Sequence, residues 1–372
     1  MSAQHSKFVE AFSGKTVLVT GHTGFKGSWL TAWLERLGAR VVGLSIDVPT
    51  QPSHFDVLGL SGRIDDRRLD IRQAALVVAA FAGIKPDFVF HLAAQPLVRR
   101  AYRAPLETFE TNMLGTAIVL EALRQLERPC TAVIITSDKC YDNVEWLWGY
   151  RETDRLGGKD PYSGSKGAAE LVIRSYMASY FSEPDSSIRV AVGRAGNVIG
   201  GGDWAEDRIV PDCIRSWAES RPVEIRNPNA TRPWQHVLEP LSGYLWLAAK
   251  LQHDRVLNGE AFNFGPAALD NYTVIDVIDE LARAWSGKAE HAIAAGTPAA
   301  AEAGLLKLNC DKASAHLAWR PTLEFAETIE MTGRWYDAYY GRSRDADMLP
   351  ITVSQIEAYE ALARARGVAW AC

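Results

Sequence analysis

An apolar run, Thr16 to Thr20 (TVLVT), leads directly into Gly21-His22-Thr23-Gly24-Phe25-Lys26-Gly27. An amphipathic stretch, Ser28 to Leu37 (SWLTAWLERL), follows and stops at Gly38. A strand, a G-x-x-G-x-x-G turn and a helix in immediate succession leave few folds open. The glycines permit a tight turn and let backbone N–H groups approach a pyrophosphate, and the helix N-terminus adds partial positive charge. A lone glycine triplet says little. Placed between a strand and a helix, this one reads as a dinucleotide-binding turn.

The following residues repeat the rhythm. Strand-like runs occur at Arg40 to Ile46, Phe88 to Leu92, Ala132 to Thr136 and Arg189 to Val192, with one more expected before Asp70. Helical patterns separate them near Gln73 to Ala82, Glu107 to Gln125 and Tyr162 to Tyr180. This alternation predicts parallel strands with right-handed crossovers, hence an α/β fold with a Rossmann-like doubly wound sheet. The rhythm breaks after Arg194, where Gly200, Gly201 and Gly202 precede a polar stretch to Pro233. A smaller C-terminal α/β domain for substrate is expected there. The division places a dinucleotide domain at 14–193, with a return segment near 236–266 that includes a strand at Ala261 to Phe264. Residues 194–235 and 267–345 form the second domain, and 346–372 a C-terminal tail. Ala289 to Ala303 reads as a linker or variable surface element.

Composition narrows the function. The 372 residues carry a formal net charge of -5, which gives no basic field for a nucleic-acid duplex. No apolar run is long enough to span a membrane, and the first residues, MSAQHSKFVEAF, lack a secretory h-region, so no membrane association is expected. Five scattered cysteines, none spaced C-x-x-C, argue against a disulfide framework or a zinc site and point to a reducing, cytoplasmic setting. No metal is expected.

The glycine turn assigns Gly21, Thr23, Gly24, Phe25 and Gly27 to the cofactor. Asp47, twenty residues after Gly27, stands where a ribose-binding acid belongs, and Ser45 is the alternative. No arginine follows this strand to receive a 2′-phosphate, so NAD is expected over NADP. Asp70 and Ile71 are candidates to meet the adenine. Leu92, Ala93 and Ala94, after His91, end a strand at the sheet edge where open α/β sheets bind ligands.

Tyr162 and Lys166 lie four apart on a helical stretch, hence on one face. A phenol with an ordinary pKa near ~10 is a poor base at neutral pH, and a nearby ammonium favours the phenolate. Lys166 is also a candidate to hold the nicotinamide ribose. Ser137, at the end of the strand Ala132 to Thr136, is placed to hydrogen-bond a substrate hydroxyl that Tyr162 deprotonates.

Together with Asn112, Asn263-Phe264-Gly265 and Trp319-Arg320-Pro321, these motifs resemble the extended short-chain dehydrogenase/reductase family over nearly the whole chain. Within it, GHTGFKGSWL (21–30), TSDKCYDN (136–143), RAGNVIGGGDW (194–204) and RPWQHV (232–237) are similar to the dehydratases of CDP-linked glucose. The resemblance implies conversion of CDP-D-glucose to CDP-4-keto-6-deoxy-D-glucose and water, with a retained NAD. It implies Asp138 as the acid at the C6 hydroxyl. Lys139 stands where relatives on other sugars carry a carboxylate base. It is a candidate C5 base, an electrostatic stabiliser of an enolate, or a structural partner of Asp138. Asn197, Arg208 and Arg232 are candidates for sugar or diphosphate oxygens, a guanidinium fork suiting phosphate. Trp204 or Trp234 is a candidate to stack on the base, while His236 reads as structural. The resemblance also implies a homodimer, or a dimer of dimers, built on the long helices. The competing readings are a nucleotide-sugar 4-epimerase, a 4,6-dehydratase for another sugar nucleotide, and a non-catalytic dinucleotide sensor.

Overall fold

The computed structural model describes residues 6–183, 185–267, 271–293, 305–341 and 347–372. Six strands of the first half are β1 (Thr16–Thr20), β2 (Arg40–Ser45), β3 (Asp65–Arg68), β4 (Phe88–His91), β5 (Cys130–Ile135) and β6 (Ile188–Arg194). With β11 (Ala261–Asn263) they form one seven-stranded sheet, ordered β11-β6-β5-β4-β1-β2-β3 and parallel throughout. The order reverses between β1 and β4, which opens a crevice at the carboxyl ends of these strands. The doubly wound sheet expected from the sequence is thus present, and β11 joins it from the late return segment.

Strands β4 and β5 are buried along their whole length, so they read as unbroken apolar runs. Edge strand β3 (DDRR) has no apolar residue. Its charges pair along the strand, Asp65 with Arg67 and Asp66 with Arg68. Among the described residues, six short strands lie outside the main sheet. β7 (Val198–Ile199) pairs with β10 (Gln235–His236), β8 (Val223–Ile225) with β13 (His291–Ile293), and β9 (Thr231–Arg232) with β12 (Tyr272–Thr273). Strand β13 falls inside the stretch expected to be a linker; residues 294–303 of that stretch lie outside the described residues.

Helices α1 (Lys7–Phe12) and α2 (Phe25–Arg36) cover one face of the sheet, followed by the short α3 (His54–Val57). Helix α4 (Ala74–Ile84) covers the other face. Helices α5 (Val98–Arg103) and α6 (Pro105–Phe109) lead through a π-helical segment, Glu110–Leu114, into α7 (Gly115–Arg124). Together with α8 (Pro161–Tyr176), α7 extends the layer begun by α4. Helix α2 begins three residues earlier than its apolar pattern, inside the glycine turn.

Five helices follow Arg194 among the described residues: α9 (Ile209–Ala218), α10 (Leu238–Leu251), α11 (Val274–Arg283), α12 (Phe325–Tyr340) and α13 (Leu349–Ala365). Helix α10 is buried on almost every side and packs beneath β5 and β6 with α1 and α2. The segment read as a tail carries α13, which lies on α2. Trp33 Nε1 donates to Glu360 at 2.8 Å, and the Trp370 ring stacks on Phe8 at 4.9 Å. Each such buried aromatic contributes about 2–3 kcal/mol. Among the described residues no helix is long and apolar enough to cross a membrane.

Candidate active site

The glycine turn closes on itself at the carboxyl end of β1. A Cβ on Gly27 would lie 2.0 Å from the Gly21 carbonyl oxygen, so a side chain there would force the turn open. Gly24, the N-cap of α2, offers no side chain to the first-turn N–H groups. A dinucleotide pyrophosphate fits such a cradle. Across the crevice, Leu92 N donates to Thr20 O at 3.0 Å and Ala93 N to Thr20 Oγ1 at 3.3 Å, which brings Leu92, Ala93 and Ala94 beside Gly21.

Hydrogen bonds around His22 tie the glycine turn to β2 and β3. Its ring bonds Ser45 Oγ at 2.9 Å and Asp66 at 2.8 Å. Ser45 Oγ also accepts from Thr23 N. Asp47 is exposed, and its carbonyl, rather than its carboxylate, accepts from Thr23 Oγ1 at 2.6 Å. Arg68 is the register partner of Ser45 and is held by Asp66, so a guanidinium stands at the neighbouring strand end. Sequence reading passed over it, since it lies on β3 rather than after β2. Asp70 grips Arg72 through both carboxylate oxygens, while Ile71 packs against Gly115.

Helix α8 starts at Asp160, whose carboxylate accepts from Tyr162 N and Ser163 N at 3.0 Å each, with Pro161 in the first turn. This cap sets Tyr162 one turn before Lys166, and both are buried. Tyr162 is hydrogen-bonded to Ser137 and faces Asp138 and Arg208; burial pushes its phenol up to about 12. Burial also pushes Lys166 down to about 8, against the pull of Cys140 and Glu170. Asn112, on the π-helical segment, donates to Ser165 Oγ at 2.9 Å and steadies the same helix.

After β5, Ser137, Asp138, Lys139 and Cys140 make a tight turn capped by Ser137, whose Oγ accepts from Lys139 N and donates to Asp138 at 2.8 Å. The Lys139 ammonium lies 6.0 Å from the Tyr162 ring centre. Asp138 is thus engaged by Ser137, and among the described residues the ion pairs include none between it and Lys139.

Two cations join this group. Arg208 is held by Asp203 at 2.6 Å and faces Tyr162. Lys26, from the glycine turn, faces Arg208, Asp138 and Lys166; burial and then Arg208 bring it down to about 8. No role was read for Lys26 in the sequence, because its nearness to Asp138 exists only in the fold. Asn197 sits in a left-handed conformation, φ 50°, and its carbonyl accepts from Gln235 N. Arg232 and Trp234 lie on and beside the β9–β12 pair, where Trp234 Nε1 donates to Tyr272 O at 3.2 Å. Trp204 is buried among Trp335, Tyr336 and Tyr339, a core position and not a stacking platform. His236 is buried edge-on to Trp29, and burial brings its ring down to about 3.

A parallel doubly wound sheet, a glycine cradle at its switch point and a Ser–Tyr–Lys set beside it define a dinucleotide-dependent enzyme of the short-chain dehydrogenase/reductase type. The comparisons with known proteins narrow the class. The family model described as GDP-mannose 4,6 dehydratase matches residues 18–332. A CDP-glucose 4,6-dehydratase of Salmonella typhimurium is 45% identical over 351 residues, covering 94% of this chain and 97% of that one. A dTDP-glucose 4,6-dehydratase of the same organism is 26% identical, covering 86% of this chain and 92% of the relative. Among solved structures, the Thermus thermophilus UDP-glucose 4-epimerase in complex with NAD superposes with a TM-score of 0.73 at 26% identity, covering 86% of this chain and 98% of its own. The chain belongs to the nucleotide-sugar 4,6-dehydratase family.

Proposed function

We propose that this protein converts CDP-D-glucose to CDP-4-keto-6-deoxy-D-glucose and water with a retained NAD. One observation carries the reading. The Ser137-Asp138-Lys139 turn faces Tyr162, on the helix face it shares with Lys166, so a C4 proton acceptor and an elimination pair stand side by side. NAD, when bound in the Gly21–Gly27 cradle, supplies the acceptor for the C4 hydride and its return to C6. The protein moves the protons. Tyr162 takes the C4 hydroxyl proton, hydrogen-bonded to Ser137 and, against the pull of burial, favoured as phenolate by the Arg208 guanidinium, with Lys166 one turn along the same helix face. The 4-ketone acidifies C5–H. Asp138 gives its proton to the C6 hydroxyl, which leaves as water, while Lys139 takes the C5 proton and, once protonated, holds the developing enolate. Arg208 and Lys26 supply positive charge for the diphosphate, with Asn197 at the sugar. Arg232 and Trp234 belong to the more distant nucleotide end.

The preference for the cytidine nucleotide rests on the 45% identical relative and on a lysine at position 139. We assign the dinucleotide to the seven-stranded half, with its return segment, and the nucleotide sugar to the remainder. Five unpaired cysteines favour the cytoplasm. Exposed apolar side chains on α5, α6 and α8, Tyr102, Leu106 and Leu171, favour a homodimer through these helices.

The test is turnover of CDP-, dTDP-, UDP- and GDP-glucose carrying deuterium at C4. A product lighter by one water, with deuterium at C6 for the CDP sugar alone, supports the reading. Inversion at C4 without water loss would establish an epimerase, and turnover of a different nucleotide would overturn the cytidine preference.

A further inference from the structure

Behind the site lies a buried ion pair that the reaction does not use. Glu170 and Arg194 are fully enclosed, and the carboxylate meets the guanidinium through two bonds, Nε to Oε1 and Nη2 to Oε2, each 2.7 Å. Such bidentate pairs have a defined direction as well as strength. Glu170 is the third residue of a series on one face of α8, four beyond Lys166 and eight beyond Tyr162. Arg194 ends β6, two residues before Gly196, where an added Cβ would lie 1.9 Å from the Asp138 carboxylate.

The pair is bonded to both ends of the Ser137–Cys140 turn. On the near side, Thr136 Oγ1 donates to Glu170 Oε1 at 2.6 Å. On the far side, Arg194 Nη1 donates to Tyr141 OH at 2.7 Å, and that hydroxyl donates to Asn263 Oδ1 at 2.8 Å. Asn263 is in turn fixed by Glu152, whose carboxylate accepts from Asn263 N at 2.8 Å. One rigid unit therefore joins the helix bearing Tyr162 and Lys166, the turn bearing Ser137, Asp138 and Lys139, and two strand ends. A buried pair contributes little to net stability compared with an apolar replacement, so its role here is sought in what it joins.

We propose that Glu170 and Arg194 are positioning residues that clamp the Ser137-Asp138-Lys139 turn against the Tyr162–Lys166 helix face, holding the elimination groups in register with the C4 proton acceptor. The inference rests on the dehydratase reading above for its kinetic arm and on geometry alone for its exchange arm. Removing either member of the pair strands a buried charge and endangers the fold. The test therefore cuts the two lighter ties, with Thr136→Val and Tyr141→Phe, and includes Thr136→Ser, which keeps the hydroxyl.

Backbone hydrogen exchange of the peptide spanning 136–141 is followed by mass spectrometry, alongside kcat and KM for CDP-glucose and the thermal midpoint. The expected result is exchange faster by about tenfold in that peptide for Thr136→Val and Tyr141→Phe, with kcat lower by about tenfold and KM within about twofold. Thr136→Ser should return both readouts to wild-type values. Folded variants with unchanged exchange and kcat would overturn the clamp, as would a loss confined to KM or one that Thr136→Ser fails to restore. A wild-type protein that does not turn over CDP-glucose would count against the dehydratase reading instead, leaving the exchange arm to judge the clamp.

Discussion

Asp160 decides where the phenol and the ammonium stand, because its carboxylate caps the first turn of α8 and so fixes Tyr162 one turn before Lys166. Burial holds Lys166 at about 8, so its ammonium is lost as pH rises through that value. The site then loses the positive charge that stands one turn from the proton acceptor on the same helix face. kcat/KM should therefore fall above about pH 8, and Lys166→Arg, which stays charged, should move that limb upward at a reduced rate; a pH–rate profile of both proteins checks this. Tyr162→Phe should lower kcat by about 10²–10⁴-fold, measured as product formation with folding verified by circular dichroism. Tyr162, Lys166 and Ser137 were legible as candidates because spacing on a helix and position at a strand end are written in the chain. Lys26 and Arg194 were not. Lys26 acts beside Asp138, and Arg194 through Glu170 and Tyr141, all on other elements, and periodicity carries no record of that. Glu170 did leave a signal, four residues past Lys166 on the same face.

Elements differ in how plainly the chain announces them. Strands β1, β4 and β5 stand out because both their faces are buried, whereas β3 consists of four charges and is a strand only because β2 offers it an edge. Helix α10 escaped notice for the opposite reason: apolar on nearly every side, it has no 3.6-residue contrast to detect. Its buried Glu239 accepts from Thr322 N, Leu323 N and the Tyr359 hydroxyl, joining α10 to α13 and to the loop between them. Burial raises that carboxyl from 4.5 to about 7. A carboxyl raised on folding contributes stability that is present below the unfolded value and lost as pH rises through the folded one. Thermal melts between about pH 5 and about pH 8 should thus show a steeper decline for the wild type than for Glu239→Gln, by at most about 3 kcal/mol. At the other end of the sheet, Gly27→Ala should weaken dinucleotide binding by about 10²-fold or more, read by fluorescence titration with reduced cofactor, since the new methyl would sit on the Gly21 carbonyl.

At the level of the whole molecule, alternation of strands and helices was enough to predict the sheet, while the crossing of the late segment into it was foreseen for one strand alone. The apolar side chains of Leu106 and Leu171 remain 78% and 57% exposed on one chain. If the helices carrying them pair with a second copy, Leu106→Lys combined with Leu171→Lys should sediment as a monomer where the wild type sediments as a dimer.

The stacking of Trp370 on Phe8, with Lys7 Nζ donating to the Ala369 carbonyl at 2.8 Å, has a temporal consequence. Helix α1 can pack on β4 and α10 as these are made, but the Phe8 face that meets Trp370 stays uncovered until more than three hundred and fifty further residues have followed. Until then Phe8 and Trp33 lack the Trp370 ring that both of them contact. A ribosome stalled short of residue 370 therefore holds a chain whose Phe8 and Trp33 rings are bare on one side.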